Sequence, residues 1–126
     1  MIRIPDPGRF ELRLMDGSAN PYLLQASVLA SGIYGLKNKS DPGKPLHCNM
    51  YEDHEKYPNL PKLPDELEQS LDQLENNKEM NEAFGKEVIK SYIKLRRSEI
   101  KEFKLKENFD KKQSITNWEK NNTLDC

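Results

Sequence analysis

The chain has 126 residues, 35% of them apolar and 33% charged, and its 20 Lys and Arg against 21 Asp and Glu leave a net charge of −1. That length holds at most one small domain, in which roughly 65% of the unfolded surface would be buried; the thin and unevenly spread apolar material suits part of a larger domain better than a whole one. The charge balance disfavours a charge-driven nucleic-acid or membrane binder. No apolar run of about 18 residues supports a transmembrane helix, and residues 1–10 lack the apolar stretch of a signal peptide, so a cytoplasmic protein is expected.

Residues 9–14, Arg-Phe-Glu-Leu-Arg-Leu, alternate with period two. A strand there puts Phe10, Leu12 and Leu14 on one face, expected to be covered, and Arg9, Glu11 and Arg13 on the other. Asp16-Gly17-Ser18 breaks the strand, and Asn20-Pro21 supplies a helix cap followed by proline at the first helical position. Tyr22 to Ile33 is apolar or small at almost every position, which predicts a helix enclosed on most sides, loosened at its end by Gly32 and Gly35. The stretch 37–64 carries Pro42, Pro45, Pro58, Pro61 and Pro64 among charges and reads as a long irregular loop.

Pro64-Asp65-Glu66 opens a second helix with Leu67, Leu71 and Leu74 on one narrow stripe. Asn76-Asn77 interrupts it, and Met80, Ala83 and Phe84 form a short helical turn. After Gly85 a third helix carries Val88, Ile89, Tyr92, Ile93, Ile100 and Phe103 on its apolar side. The basic residues from Arg96 to Lys112 alternate with Glu99, Glu102, Glu107 and Asp110, which predicts a solvated helix face. The polar tail, with Ile115, Trp118 and Leu124 among its large apolar residues, supports at most one docked turn.

Three of the five arginines, Arg3, Arg9 and Arg13, fall in the first thirteen residues, where lysine is absent. Guanidinium groups match carboxylate and phosphate oxygens two at a time. Glu11 between them is either one half of a simple ion pair or an oxygen ligand for a divalent cation whose arginine neighbours hold phosphates. One carboxylate does not make a metal site, so further ligands would come from elsewhere. His47 and His54 read as solvated loop histidines, Tyr51 as a half-buried aromatic pinning the loop, and Cys48 and Cys126 as free thiols.

The ordered motifs are more specific than any one of them. Arg3-Ile4-Pro5, Arg9-Phe10-Glu11-Leu12-Arg13, Asp16, Ala19-Asn20-Pro21-Tyr22-Leu23, Gly35 with Asn38-Lys39, Pro42-Gly43 and Asn49-Met50-Tyr51 resemble the C-terminal part of the glutamine synthetase catalytic domain. Trp118-Glu119 and Thr123-Leu124-Asp125-Cys126 resemble the bacterial type III-like branch, close to the glutamyl-methylamide ligases. The resemblance implies an α+β fold: one or two sheet strands, then three or four helices. It divides the chain into an active-site strand region (1–18), a buried helix (20–35), a proline-rich loop (37–64), a helical region (65–106) and a polar tail (107–126).

The resemblance also implies an ATP-dependent glutamate–ammonia ligase acting through γ-glutamyl phosphate, with ATP and Mg2+ or Mn2+ as cofactors and a homo-oligomeric ring as its assembly. Neither nucleic acid nor membrane is an expected partner. By position, Glu11 resembles a metal-binding glutamate, Arg13 the catalytic arginine that contacts glutamate and the transferring phosphoryl group, and Arg3 and Arg9 basic residues on the ATP side. Tyr51 matches a tyrosine that some bacterial members adenylylate, although Glu52-Asp53-His54 departs from their pattern. The family's β-grasp domain and remaining metal ligands have no counterpart in these residues, so the chain is expected to be a C-terminal fragment, inactive by itself. The alternatives are a glutamate–methylamine ligase fragment, or a non-catalytic piece that docks on a full-length ring.

Overall fold

The computed structural model describes residues 2–15, 17–106 and 115–123. Among these, two antiparallel strands are followed by six α-helices, so the fold is α+β. The chain divides into two compact units, Met1–Leu29 together with Lys101–Cys126, and Ala30–Ile100.

In the first unit, β1 (Ile2–Asp6) and β2 (Arg9–Leu12) form a hairpin with Ile2 opposite Leu12, Arg3 opposite Glu11 and Asp6 opposite Arg9. Its turn is Pro7-Gly8, with Gly8 at φ 80°; proline fixes the first corner and glycine accepts the left-handed second one. The ladder slips between Arg3 and Asp6, where Pro5 has no N–H to donate. The strand ends at Leu12 instead of continuing to Leu14. The apolar face expected to be covered is open in this chain, with Phe10 66% exposed.

Helix α1 (Pro21–Asn38) begins as the sequence predicts: the Asn20 side chain accepts hydrogen bonds from the Tyr22 and Leu23 amides, both at 3.1 Å. It does not loosen at its glycines but runs through Gly32 and Gly35. Its end is a Schellman turn, with Ser40 N–H donating to the Gly35 carbonyl (2.9 Å), Lys39 N–H donating to that of Leu36 (3.3 Å), and Lys39 itself at φ 50°. The enclosure expected for this helix is not met, because none of its residues is buried; Tyr22, Leu29 and Leu36 are strongly exposed. Its apolar side chains have no covering layer within the described residues of this chain.

In the second unit, the proline-rich stretch contains one ordered turn, α2 (Met50–Asp53), continued by a 3-10 turn at His54–Lys56. The Asn49 side chain caps α2 by accepting from the Tyr51 amide at 3.2 Å. Helices α3 (Leu67–Asn76) and α4 (Lys78–Phe84) meet at Asn77, whose side chain accepts from the Met80 amide at 2.9 Å. Gly85 at φ 84° ends α4 and turns the chain into α5 (Lys86–Lys106). The core is Leu71 of α3 against Ile89 and Ile93, one turn apart on α5, with Leu74, Phe84, Tyr92 and Ile100 packed around them.

The basic part of α5 is more than a solvated face. Arg97 reaches across to three carboxylates of α3: Glu68 (3.3 Å), Asp72 (2.6 Å) and Glu75 (2.8 Å). Those acids lie at i, i+4 and i+7 on one helix face and would otherwise repel one another. The hydrogen bonds that Arg97 donates to Glu75 and Asp72 push its pKa further up. Arg96 instead lies over the Tyr92 ring, 5.4 Å from its centroid, and pairs with Glu99 at 2.7 Å.

The docked turn of the tail, in the first unit, is α6 (Asn117–Asn122). A capping box starts it: the Thr116 hydroxyl accepts from the Glu119 amide (3.1 Å), and the Glu119 carboxylate accepts from the Thr116 amide (2.7 Å). Trp118 meets Phe103 edge to face, with centroids 5.6 Å apart. Asp16, Leu124 and Cys126 lie outside the described residues.

Candidate functional site

The hairpin register brings the chemistry together. Side chains two apart on a strand share a face, and directly opposed residues of an antiparallel pair are neighbours. Glu11 therefore has Arg9 beside it on β2 and Arg3 across from it on β1. Arg9 Nη2 donates to Glu11 Oε1 at 2.6 Å, and Arg3 Nη1 donates to Glu11 Oε2 at 3.2 Å. Each carboxylate oxygen thus holds a different guanidinium.

The hydrogen bond from Arg9 is the main reason the Glu11 carboxyl is held below the usual carboxylate range. Partial burial opposes it, while the Arg3 charge and hydrogen bond and the Arg13 charge reinforce it. Arg13 lies just past the end of β2 and is exposed. The arginine side chains are open to ligand, with Arg3 61% and Arg9 63% exposed.

Of the four expected site residues, then, the structure joins Arg3, Arg9 and Glu11 through direct bonds and brings Arg13 near enough to act on Glu11 by charge. The Arg3–Glu11 bond was not legible in the sequence because Pro5 argues against a strand at residues 2–6. The Pro7-Gly8 turn signals a hairpin, but in regular register it would set Ile4 opposite Glu11; the slip between Arg3 and Asp6 is what brings Arg3 there.

The loop candidates belong to the second unit, whereas the hairpin belongs to the first. His47 and His54 are exposed. Tyr51 is 80% exposed on α2, which corrects the expectation of a half-buried anchor. The more organised group there is one the sequence reading passed over: free Cys48 donates from Sγ to Met50 Sδ at 3.5 Å. A hydrogen bond to Cys48 raises the Tyr57 phenol pKa, helped by electrostatics from Cys48 and Asp53 and by burial.

The donor set suits phosphate oxygens: three guanidinium groups with fork geometry lie on or just beyond one hairpin face. For a divalent cation it supplies one carboxylate. Among the described residues no group of three or more His, Cys, Asp and Glu side chains is placed to hold a metal ion. Glu11 fits such a site as a single ligand, whose companions would come from beyond the described residues.

Residues 1–122 match the glutamine synthetase catalytic domain, and the chain belongs to that family. It is 42% identical over 125 residues to the glutamine synthetase of Rhizobium meliloti (strain 1021), a match covering 99% of this chain and 27% of the relative. The enzyme of Escherichia coli (strain K12) is 37% identical over 103 residues, covering 79% of the chain and 22% of the relative. The solved structure of a GmaS/ADP complex superposes with a TM-score of 0.78 at 36% identity, over 100% of this chain and 27% of that one. The chain thus spans about a quarter of the length of the curated relatives it matches. No helix among the described residues is long and apolar enough to cross a membrane.

Proposed function

We propose that this chain contributes the arginine–glutamate hairpin of an ATP-dependent glutamate–ammonia ligase that works through γ-glutamyl phosphate in the cytoplasm, within a homo-oligomeric ring. The observation that carries the reading is Glu11 bracketed by Arg3 and Arg9 at 3.2 and 2.6 Å in a chain of the glutamine synthetase family. Phosphoryl transfer requires positive charge arranged around the oxygens of the moving group. Arg3 and Arg9 supply it on the ATP side, and Arg13 is the residue that contacts glutamate and the transferring phosphoryl group.

Glu11, held ionised by its neighbours, is one oxygen ligand for Mg2+ or Mn2+, which would neutralise phosphate charge when bound. Since one carboxylate cannot fix a divalent cation, the remaining ligands belong to residues outside those described, and the isolated chain is expected to be inactive. The likeness to GmaS favours a second reading in the same chemistry, with methylamine in place of ammonia.

The test is amide formation with ATP and glutamate, using ammonium or methylammonium, by the chain alone and by the chain combined with the preceding three quarters of a relative. The expected result is turnover in the combination only, lost in Glu11→Gln and Arg13→Met. Turnover by the chain alone would overturn the claim that outside ligands are required, and undiminished turnover in both variants would overturn the site assignment. The preferred amine decides between the two readings.

A further inference from the structure

Between the paired residues Arg3 and Asp6, β1 carries Ile4 and Pro5, whereas between Glu11 and Arg9, β2 carries only Phe10. Two residues against one make a β-bulge, which re-aims the side chains beyond it. Counted outward from Asp6 opposite Arg9, an unbroken ladder would set Pro5 opposite Phe10, Ile4 opposite Glu11 and Arg3 opposite Leu12. That register puts the Arg3 guanidinium on the face away from Glu11. With the bulge, Ile2 opposes Leu12 and Arg3 opposes Glu11, and Arg3 Nη1 donates to Glu11 Oε2 at 3.2 Å.

Pairing of apolar with apolar and charge with charge favours the bulged register. Ile2 and Ile4 are exposed, however, and pairs on an open hairpin discriminate weakly between registers. Pro5 discriminates by its backbone. Its ring holds φ at about −65°, far from the roughly −140° of an antiparallel strand and near the helical geometry of the first residue of a bulge.

We infer that Pro5 is a positioning residue: by holding the bulge it turns Arg3 onto the face that carries Glu11 and Arg9. It acts through Arg3 and donates nothing to a ligand itself. The consequence for catalysis rests on the assignment of Arg3 to the ATP side, whereas the register stands without it.

Nuclear magnetic resonance of the full chain, with 13C at the glutamate side chains and Glu11 assigned through Glu11→Gln, reads both the register and the Glu11 titration. Pro5→Val should move the cross-strand contacts of Glu11 from Arg3 to Ile4, and raise its titration midpoint as Arg3→Met does. Deleting Ile4 in addition removes the extra residue, so that an unbroken ladder again sets Arg3 opposite Glu11; this chain should regain the contacts and the midpoint without the proline. Arg3 still opposite Glu11 in Pro5→Val, or contacts that the deletion does not restore, would overturn the inference.

The chain combined with the preceding three quarters of a relative reports the consequence. Pro5→Val should raise the KM for ATP about tenfold, the size of a lost charged hydrogen bond, in step with Arg3→Met, and deletion of Ile4 should bring it back. A changed register with the KM for ATP unmoved in both Pro5→Val and Arg3→Met would overturn the ATP-side assignment of Arg3 and leave its positioning by Pro5 standing.

Discussion

Leu71→Ala should remove most of the stability of the α3–α5 pair. Leu71 is 2% exposed and fills the space against Ile89 (7%) and Ile93 (3%), and these three are the buried apolar residues among those described. Truncating a buried leucine costs about 2–5 kcal/mol, depending on how far the site collapses. Here the surrounding Leu74, Phe84, Tyr92 and Ile100 are only partly buried, so some relaxation is possible and about 3 kcal/mol is expected. At about 0.05–0.15 kcal/mol per residue, some 40 residues of helical structure carry roughly 2–6 kcal/mol in all. The loss is therefore comparable to the whole. Urea denaturation of the full chain followed by circular dichroism at 222 nm is the assay, with Leu67→Ala, at a half-exposed position on the same helix, as reference. A large fall in midpoint for Leu71→Ala and a small one for Leu67→Ala is expected. Equal midpoints for the two would refute the placement of the core.

Replacing Lys39 with Gly should stabilise the chain by about 0.5–1 kcal/mol, because Lys39 sits at φ 50° where a side chain is strained and glycine is not; a thermal melt reads the gain. Thr116→Ala, which removes the capping box of α6, should cost that turn about 1 kcal/mol and shift Trp118 fluorescence to the red as its contact with Phe103 loosens. Arg97→Met should lower the melting temperature by leaving Glu68, Asp72 and Glu75 facing one another, and added salt should shrink the difference from the unaltered chain. The Lys106 hydrogen bond and charge lower the Glu102 pKa, with Trp118 assisting and burial opposing. Its stabilisation is therefore fully present above the usual carboxylate range and lost as pH falls through the lowered value. Glu102→Gln should be less stable than the unaltered chain at neutral pH and equal to it in strong acid.

The sequence was readable where local chemistry decides the outcome. Asn20-Pro21 starts a helix because a side-chain acceptor and a preset φ act on adjacent residues, and Asn77 and Gly85 divide helices for equally local reasons. The stripe Leu71, Ile89 and Ile93 follows from helical periodicity. Two kinds of feature escaped. Arg97 looked solvated because its acids lie more than twenty positions away on another helix, and alternating charge along one element says nothing of a second. The extension of α1 through Gly32 and Gly35 escaped because each glycine costs a helix only about 1 kcal/mol, too little to stop one bounded by a Schellman turn. For the site, residue types and the Arg9–Glu11 adjacency were legible, whereas the Arg3 contact depends on a pairing across Pro7-Gly8.

The residues that resemble the family most specifically and the residues that form the core are different sets. Arg3, Arg9, Glu11, Tyr22 and Tyr51 are largely exposed or half-exposed, while Leu71, Ile89 and Ile93 belong to a helical stretch with no distinctive motif. A core needs only apolar side chains of the right volume at the right period, which many sequences provide. A phosphate-directed arginine or a ligand carboxylate must instead be one residue type at one place, and it must stay accessible to work. The division explains why recognition came from residues 3–51 although buried packing is found after residue 66. It also separates the consequences of mutation: Leu71→Ala should lower stability, whereas Glu11→Gln should leave the α3–α5 core unchanged.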